Sequence, residues 1–145
     1  MVVYRVAHTN DIPQLSDIRL SVKENVLSNP ALVTEKDYID YLTVRGRGWV
    51  CEINGTIVGF SIGDLQDNNV WALFIQPGYE GKGIGRELMR LLLQWYFANT
   101  NKPIWLSTAP DSRAEKFYRK YGWQETGQTK NGELVFELRA EEWKG

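Results

Sequence analysis

Residues 70–90 read VWALFIQPGYEGKGIGRELMR, and this stretch decides how the rest of the chain is to be arranged. Val70 to Ile75 is a nearly continuous apolar run of the kind that fills the middle of a sheet. Gln76, Pro77 and Gly78 stop it. From Gly81 to about Asn99 runs the longest helix, with Ile84, Leu88, Leu91, Leu92 and Trp95 on one face at helical spacing. Gly81, Gly83 and Gly85 sit at the junction of strand and helix. Alternating glycines at a helix start leave the first unpaired N–H groups uncovered, and the positive end of the helix dipole adds to them. Lys82 and Arg86 bring mobile positive charge beside them. Such a turn suits a phosphate or pyrophosphate, although three glycines can also do no more than shape a tight loop.

Two common phosphate loops do not fit. The P-loop needs Gly-Lys followed by Ser or Thr, whereas Lys82 is followed by Gly83. The dinucleotide fingerprint is spaced G-x-G-x-x-G, whereas these glycines are spaced G-x-G-x-G and lie mid-chain after a hairpin.

The elements before the glycine turn follow from pattern and capping. Val2 to Val6 reads as a strand, and Asn10 or Asp11 can cap a helix whose apolar side is Ile12, Leu15, Ile18, Leu20 and Val22. That helix should end before Asn29 and Pro30, because the residue ahead of a proline is pushed out of helical geometry. Thr34 opens a second helix, to Leu42, with Asp37 completing a capping box. Gly46 to Gly48 break it. Trp49 to Ile53 and Thr56 to Ile62 then flank Asn54-Gly55, whose positive φ angles suit a two-residue hairpin turn.

After the turn, Pro103 to Ser107 is a short strand. Ser112 to Tyr121 is a helix with Ala114, Phe117, Tyr118 and Tyr121 on one face, ended by Gly122. Trp123 to Gln128 and Leu134 to Leu138 pair across Lys130-Asn131-Gly132. The expectation is a single domain over residues 1–145, of the α+β (mixed α/β) class. Its mixed, mostly antiparallel sheet has about seven strands and helices on both faces, in the order β-α-α-β-β-β-α-β-α-β-β.

Composition narrows the chemistry. The 145 residues are 43% hydrophobic and 24% charged, an ordinary globular balance. With 17 basic and 18 acidic side chains the net charge is −1, which implies no general attraction to nucleic acid or an anionic membrane. One histidine, His8, and one cysteine, Cys51, cannot build a Cys/His zinc site or an intramolecular disulfide, so no metal is expected. His8 stands beside the first strand with no serine motif to serve, and is read as structural. No stretch has the length of a signal peptide's apolar core or a membrane span; with an unpaired Cys51, a cytoplasmic protein is expected.

Two motifs in the right order resemble the GNAT superfamily of N-acetyltransferases. That family's signature Q/R-x-x-G-x-G/A falls on Glu80-Gly81-Lys82-Gly83-Ile84-Gly85, and Ser112 to Trp123 is similar to its A-x-x-F-Y-x-x-x-G-F segment. The resemblance implies the GNAT-like fold and direct transfer of acetyl from acetyl-CoA to a primary amine of a small molecule or peptide in a ternary complex. It implies that the pantetheine arm pairs with Leu73, Phe74 and Ile75, where a backbone N–H polarises the thioester carbonyl. Gly81, Lys82, Gly83, Ile84, Gly85 and Arg86 would hold the pyrophosphate, and Ser112 opens the second contact segment. Tyr118 matches the tyrosine that protonates the departing sulfur, although its place on an apolar stripe with Phe117 and Tyr121 is one that core aromatics usually occupy. Phe117 and Tyr121 are expected in the core.

Glu80 and Asp111 depart from the family pattern, standing where relatives have Gln or Arg and often Asn. A carboxylate repels pyrophosphate, so Glu80 is expected to point to solvent or pair with Lys82. Asn68-Asn69-Val70 has no carboxylate where some relatives place a general base. Asp64 and Glu24 are the candidates, each with an alternative as an ordinary solvated or paired acid. The family also implies that the first two helices border the acceptor site, through Arg19, Glu24, Asn25 and the loop from Ser28 to Val33. Trp49, Trp71 and Trp105 are most simply core, with one able to face an acceptor. Two alternatives stay open: a non-catalytic acyl-CoA-binding or sensing module of the same fold, and a nucleotide-phosphate binder of another fold. A homodimer is also left open.

Overall fold

The computed structural model describes residues 1–22 and 33–143. β1 (Val2–Val6) lies antiparallel to β2 (Gly46–Ile53), and a 3-10 turn (Thr9–Asp11), α1 (Ile12–Ser21), α2 (Glu35–Asp40) and a π-type turn (Tyr41–Arg45) come between them. Arg5 ties β1 to the start of α1. Its guanidinium donates to both oxygens of Asp11 at 2.9 Å and to Glu52 at 2.6 Å. Ile12, Leu15 and Ile18 are buried, but Leu20 is 57% exposed. At about 100° per residue Leu20 stands roughly 160° round the helix from Ile18, so the apolar side is narrower than the sequence pattern suggests. Thr34 and Asp37 form the expected capping box, each side chain accepting the other's backbone N–H, at 3.2 and 2.9 Å.

β2 and β3 (Thr56–Asp64) form the predicted hairpin, with Asn54 at φ 52° and Gly55 at φ 84°. β4 (Asn69–Ile75) continues the antiparallel run. α3 (Ile84–Asn99) crosses over to β5 (Ile104–Thr108), which is parallel to β4, and α4 (Arg113–Lys120), β6 (Gln124–Gln128) and β7 (Leu134–Leu138) follow. The seven strands are ordered β1-β2-β3-β4-β5-β7-β6, so β7 inserts between β5 and β6. Val50, Phe60, Ile62 and Ala72 meet α1 and α2 on one face, while Leu88, Leu92, Ile104 and Phe136 build the core with α3 and α4 on the other. Among the described residues no helix is long and apolar enough to cross a membrane.

Two irregularities shape the functional region. β4 and β5 share a single pair, Asn69 with Trp105, backed by the Trp105 N–H on the Asn68 carbonyl at 3.0 Å. Side chains tie this root down: Trp105 Nε1 donates to the Asp67 carbonyl at 2.9 Å, and Tyr96 Oη lies 3.0 Å from Asn68 Oδ1. Beyond the root the two strands part into a fork. The second irregularity is a bulge, because Ile62 opposes Ala72 while Gly63 opposes Val70, leaving Trp71 as the extra residue.

Candidate active site

A cleft of about 350 Å³ fills the fork. β4 provides one wall through Trp71, Leu73, Phe74 and Ile75, the end of β5 the other through Ser107 and Thr108, and α4 brings Phe117 and Tyr118 against it. The Gln76 N–H donates to the Val58 carbonyl of the preceding segment at 2.7 Å. In an antiparallel pair alternate residues bond across, so Phe74 and Ala72 also turn their backbone groups to β3. Leu73 and Ile75 therefore turn theirs into the fork, where β5 no longer meets them. An extended ligand can pair with β4 there as an added strand.

The glycine turn stands at the open end. Gly81 has φ 76° and Gly83, the N-cap of α3, has φ 81°, and a Cβ at either would meet nothing within 4 Å. The left-handed backbone and the space before it leave the first N–H groups of a 16-residue helix presented to an anion. Lys82 and Arg86 are exposed at the rim, and the Arg86 guanidinium lies 5.9 Å from the Tyr121 ring. Ile84 contributes only backbone, since its side chain is core; Gly85 lines the cleft with Phe117 against it. Exposed Glu80 takes neither of the two expected courses, because it lines the cleft and is engaged by its own loop. Its carboxylate folds onto its own N–H and that of Gly78, the latter at 2.7 Å, which holds its pKa below the usual range and leaves Lys82 unpaired with it.

Tyr118 joins two roles the sequence sets against each other. Its ring is packed by Phe117, Trp123 and Phe136, and its residue is 6% exposed, yet it lines the cleft. Burial pushes the phenol well above its ordinary pKa, so the hydroxyl is protonated at neutral pH and can donate. Phe117 is half-buried and lines the cleft, and Tyr121 is 38% exposed; both differ from the expected core positions because α4 lies at the edge of the fork with one side in solvent. Ser112 is the N-cap of α4. Its hydroxyl accepts from the Glu115 N–H at 3.1 Å and donates to the Ala109 carbonyl at 2.7 Å, so its side chain holds the helix start and does not line the cleft. Asp111 is exposed at φ 60°.

Asp64 is not brought to the cleft. Fully buried at the end of β3, its carboxylate accepts from Arg45 at 2.9 Å and from the N–H groups of Gln66 and Asp67 at 2.9 and 3.3 Å. It is a fastening of the β3–β4 turn, which corrects its place among the candidate bases. Glu24, Asn25 and residues 28–32 lie outside the described residues. Arg19 stands behind the cleft wall, 5.4 Å from the Trp71 ring and 5.1 Å from that of Phe74. Of the three strand tryptophans, Trp49 is buried as expected and Trp105 is 37% exposed. Trp71, pushed out at the bulge, faces the cleft and stacks on Tyr41 at 4.0 Å. His8 is exposed at the turn before α1.

Sequence reasoning missed Glu133. It lines the cleft beside Ser107, whose hydroxyl donates to Glu133 Oε1 at 3.1 Å. No local pattern marks it, because it stands between a turn and a strand and reaches the cleft only through the pairing of β7 with β5.

Comparison with known proteins agrees with this framework. The pattern describing the Acetyltransferase (GNAT) family matches residues 13–123, and the chain belongs to that family. Among solved structures, an acetyltransferase of the GNAT family from Staphylococcus aureus Mu50 has a TM-score of 0.83 at 18% identity, covering 96% of this chain and 99% of that one. The PaiA N-acetyltransferase from Thermoplasma acidophilum, in complex with coenzyme A, has a TM-score of 0.81 at 14% identity, covering 96% and 99%. The ribosomal-protein-S18-alanine N-acetyltransferase from Escherichia coli has a TM-score of 0.76 at 19% identity, covering 96% and 94%. At these identities the likeness is one of fold. No curated protein matches the sequence.

Proposed function

We propose that the protein transfers an acetyl group from acetyl-CoA to a primary amine of a small molecule or peptide, directly and within a ternary complex. The observation that carries this is the fork: one cleft presents the free backbone of Leu73 and Ile75, the open glycine turn and the Tyr118 phenol. The residues fit the donor. Gly81, Gly83 and Gly85 would bind the pyrophosphate through backbone N–H groups, with Lys82 and Arg86 adding charge, and Leu73, Phe74 and Ile75 would bind the pantetheine arm. Bound acetyl-CoA supplies an activated acyl group and a thiolate leaving group.

The chain's own part is positioning and proton transfer. A backbone N–H of β4 polarises the carbonyl, and Tyr118 donates its proton to the sulfur. Burial disfavours the phenolate, so the hydroxyl keeps its proton until the leaving thiolate is there to take it. The neighbouring folds support the reading, since one is an N-acetyltransferase in complex with coenzyme A and another acetylates a protein alanine.

The test is thiol release from acetyl-CoA with n-butylamine, phenethylamine, Nα-acetyl-lysine and an alanine-initiated tetrapeptide. Turnover with at least one supports the proposal. CoA binding without turnover of any amine overturns it in favour of a sensing module.

A further inference from the structure

The two proton-handling groups of the cleft stand on opposite faces of the sheet. Ile104 and Leu106 of β5, and Leu134, Phe136 and Leu138 of β7, are buried in the core shared with α3 and α4, and Tyr118 belongs to that core. Side chains alternate along a strand, so Ser107 and Glu133 project from the other face, where their 3.1 Å hydrogen bond joins them. Phe74 of the facing wall packs with the α1 and α2 core, on that same face. Tyr118 and Glu133 nevertheless line one cleft, because the fork between β4 and β5 opens the sheet from face to face.

Glu133 is also held in place. Its N–H donates to Thr129 Oγ1 at 3.1 Å, its carbonyl accepts from the Thr129 N–H at 2.8 Å, and Gly132 at φ 84° makes the tight loop. Ser107 engages Oε1, and Oε2 takes no hydrogen bond from any described residue. Among the described residues the other acid lining the cleft is Glu80, at the glycine-turn end and engaged by its own loop.

We propose that Glu133, oriented by Ser107, receives the acceptor ammonium on the α1 face of the fork and takes its proton. This rests on the acetyl-transfer reading above. The ammonium gives one proton to Glu133 Oε2, and the freed nitrogen pair attacks the thioester carbon from the Glu133 face. As the C–N bond forms the C–S bond breaks, and the electron pair leaves on sulfur toward the Tyr118 face, where the phenol protonates it. The second nitrogen proton restores Tyr118 by way of solvent, Glu133 returns its proton to bulk water, and the products are the acetamide and free CoA thiol.

Among the described residues, the charged and titratable groups near Glu133 are few. From its own hairpin come Lys130 in the turn and Glu137 two places along the same face of β7; the β6 positions on that face are Gln124 and Gly127. β5 brings Ser107, α1 brings Arg19 behind Trp71 and Phe74, and Glu80, Arg113 and Tyr118 line the cleft elsewhere.

The experiment measures kcat/KM between pH 6.5 and 10 for wild type, Glu133→Gln, Glu133→Asp and Ser107→Ala, using the four amines named above. Glu133→Gln should lose about 100-fold at pH 7, the usual scale for a lost general base. The deficit should shrink toward parity near pH 10 for the three alkylamines, whose pKa of about 10 then supplies free base, and already by about pH 8 for the tetrapeptide, whose α-amino pKa is about 8. Glu133→Asp should recover part of the neutral-pH rate, Ser107→Ala should lose several-fold, and the thermal shift caused by CoA should be the same in all four proteins. A Glu133→Gln rate within twofold of wild type at pH 7, or a deficit equal at every pH, overturns the role of Glu133. If wild type acetylates none of the amines, the acetyl-transfer reading itself falls.

Discussion

Gly83→Val asks whether the glycine turn binds the donor through its backbone, and a matched control separates that question from folding. Gly83 and Gly55 have nearly the same positive φ, 81° and 84°, and a Cβ at either meets nothing within 4 Å. Any side chain at such an angle costs about 1–2 kcal/mol in backbone strain, and a β-branched one lies toward the upper end. For a domain of this size that cost lowers Tm by about 3–8 °C. Gly55→Val in the β2–β3 hairpin turn should therefore be as destabilised as Gly83→Val. The two part company when ligand is added. CoA at a hundred times its Kd should stabilise wild type and Gly55→Val by about 2.7 kcal/mol. In Gly83→Val the new methyl groups occupy the open space before the α3 N–H groups, and the shift should vanish. Differential scanning fluorimetry with and without CoA reads both effects. A full CoA shift in Gly83→Val, or its loss in Gly55→Val, refutes the assignment of this turn to the pyrophosphate.

Other perturbations probe the remaining assignments. Tyr118→Phe keeps the packing against Trp123 and Phe136 and should keep the CoA thermal shift, while turnover falls by about 100-fold; unchanged turnover in the thiol-release assay removes Tyr118 as the acid. Asp64→Ala loses two backbone hydrogen bonds as well as Arg45, and should cost about 2 kcal/mol or more in chemical denaturation, with kcat/KM at 25 °C retained; a rate collapse in a folded variant returns Asp64 to the list of bases. The hydrogen bonds from Arg5 hold the Asp11 carboxyl below the usual range. A carboxylate with a depressed pKa adds stability above its unfolded pKa, about 3.9, and loses it as pH falls through the folded value. The stability gap between wild type and Asp11→Asn should therefore be full at pH 6 and close below pH 4, as followed by urea denaturation; a gap independent of pH contradicts that linkage.

Short-range chemistry carried most of what could be read in advance. Asn54-Gly55, the Thr34 capping box and the glycine turn each depend on a few adjacent residues, and each has the expected geometry. α1 shows the limit of pattern alone, since Leu20 is apolar but stands on the solvent side. The fork, the Trp71 bulge and the insertion of β7 between β5 and β6 depend on pairings between segments distant in sequence, which no local window contains. The candidate site divides in the same way. The residues proposed to hold the donor lie mostly on contiguous stretches, Gly81 to Arg86 and Ser112 to Tyr118, which a local window contains, although the Ser112 side chain caps α4 and does not line the cleft. Asp64 was drawn toward the site because a carboxylate near the central strand looked available, whereas Arg45, from a different turn, had already claimed it. Glu133 was invisible because its neighbour Ser107 comes from a strand that only the folded sheet places beside it.

The position of β7 also bears on how the molecule is made. β5 has no antiparallel neighbour until β7 docks, and β6 joins the sheet only through β7. A growing chain can thus assemble β1 to β4 early, from hairpins between near neighbours, while the second arm of the fork waits for residues 134–138. Until that strand arrives, the apolar side chains of Leu106 and Tyr118 have no Phe136 to cover them. The cleft proposed to bind the donor and an apolar surface left uncovered until late in synthesis are therefore the same place, closed by the same late strand.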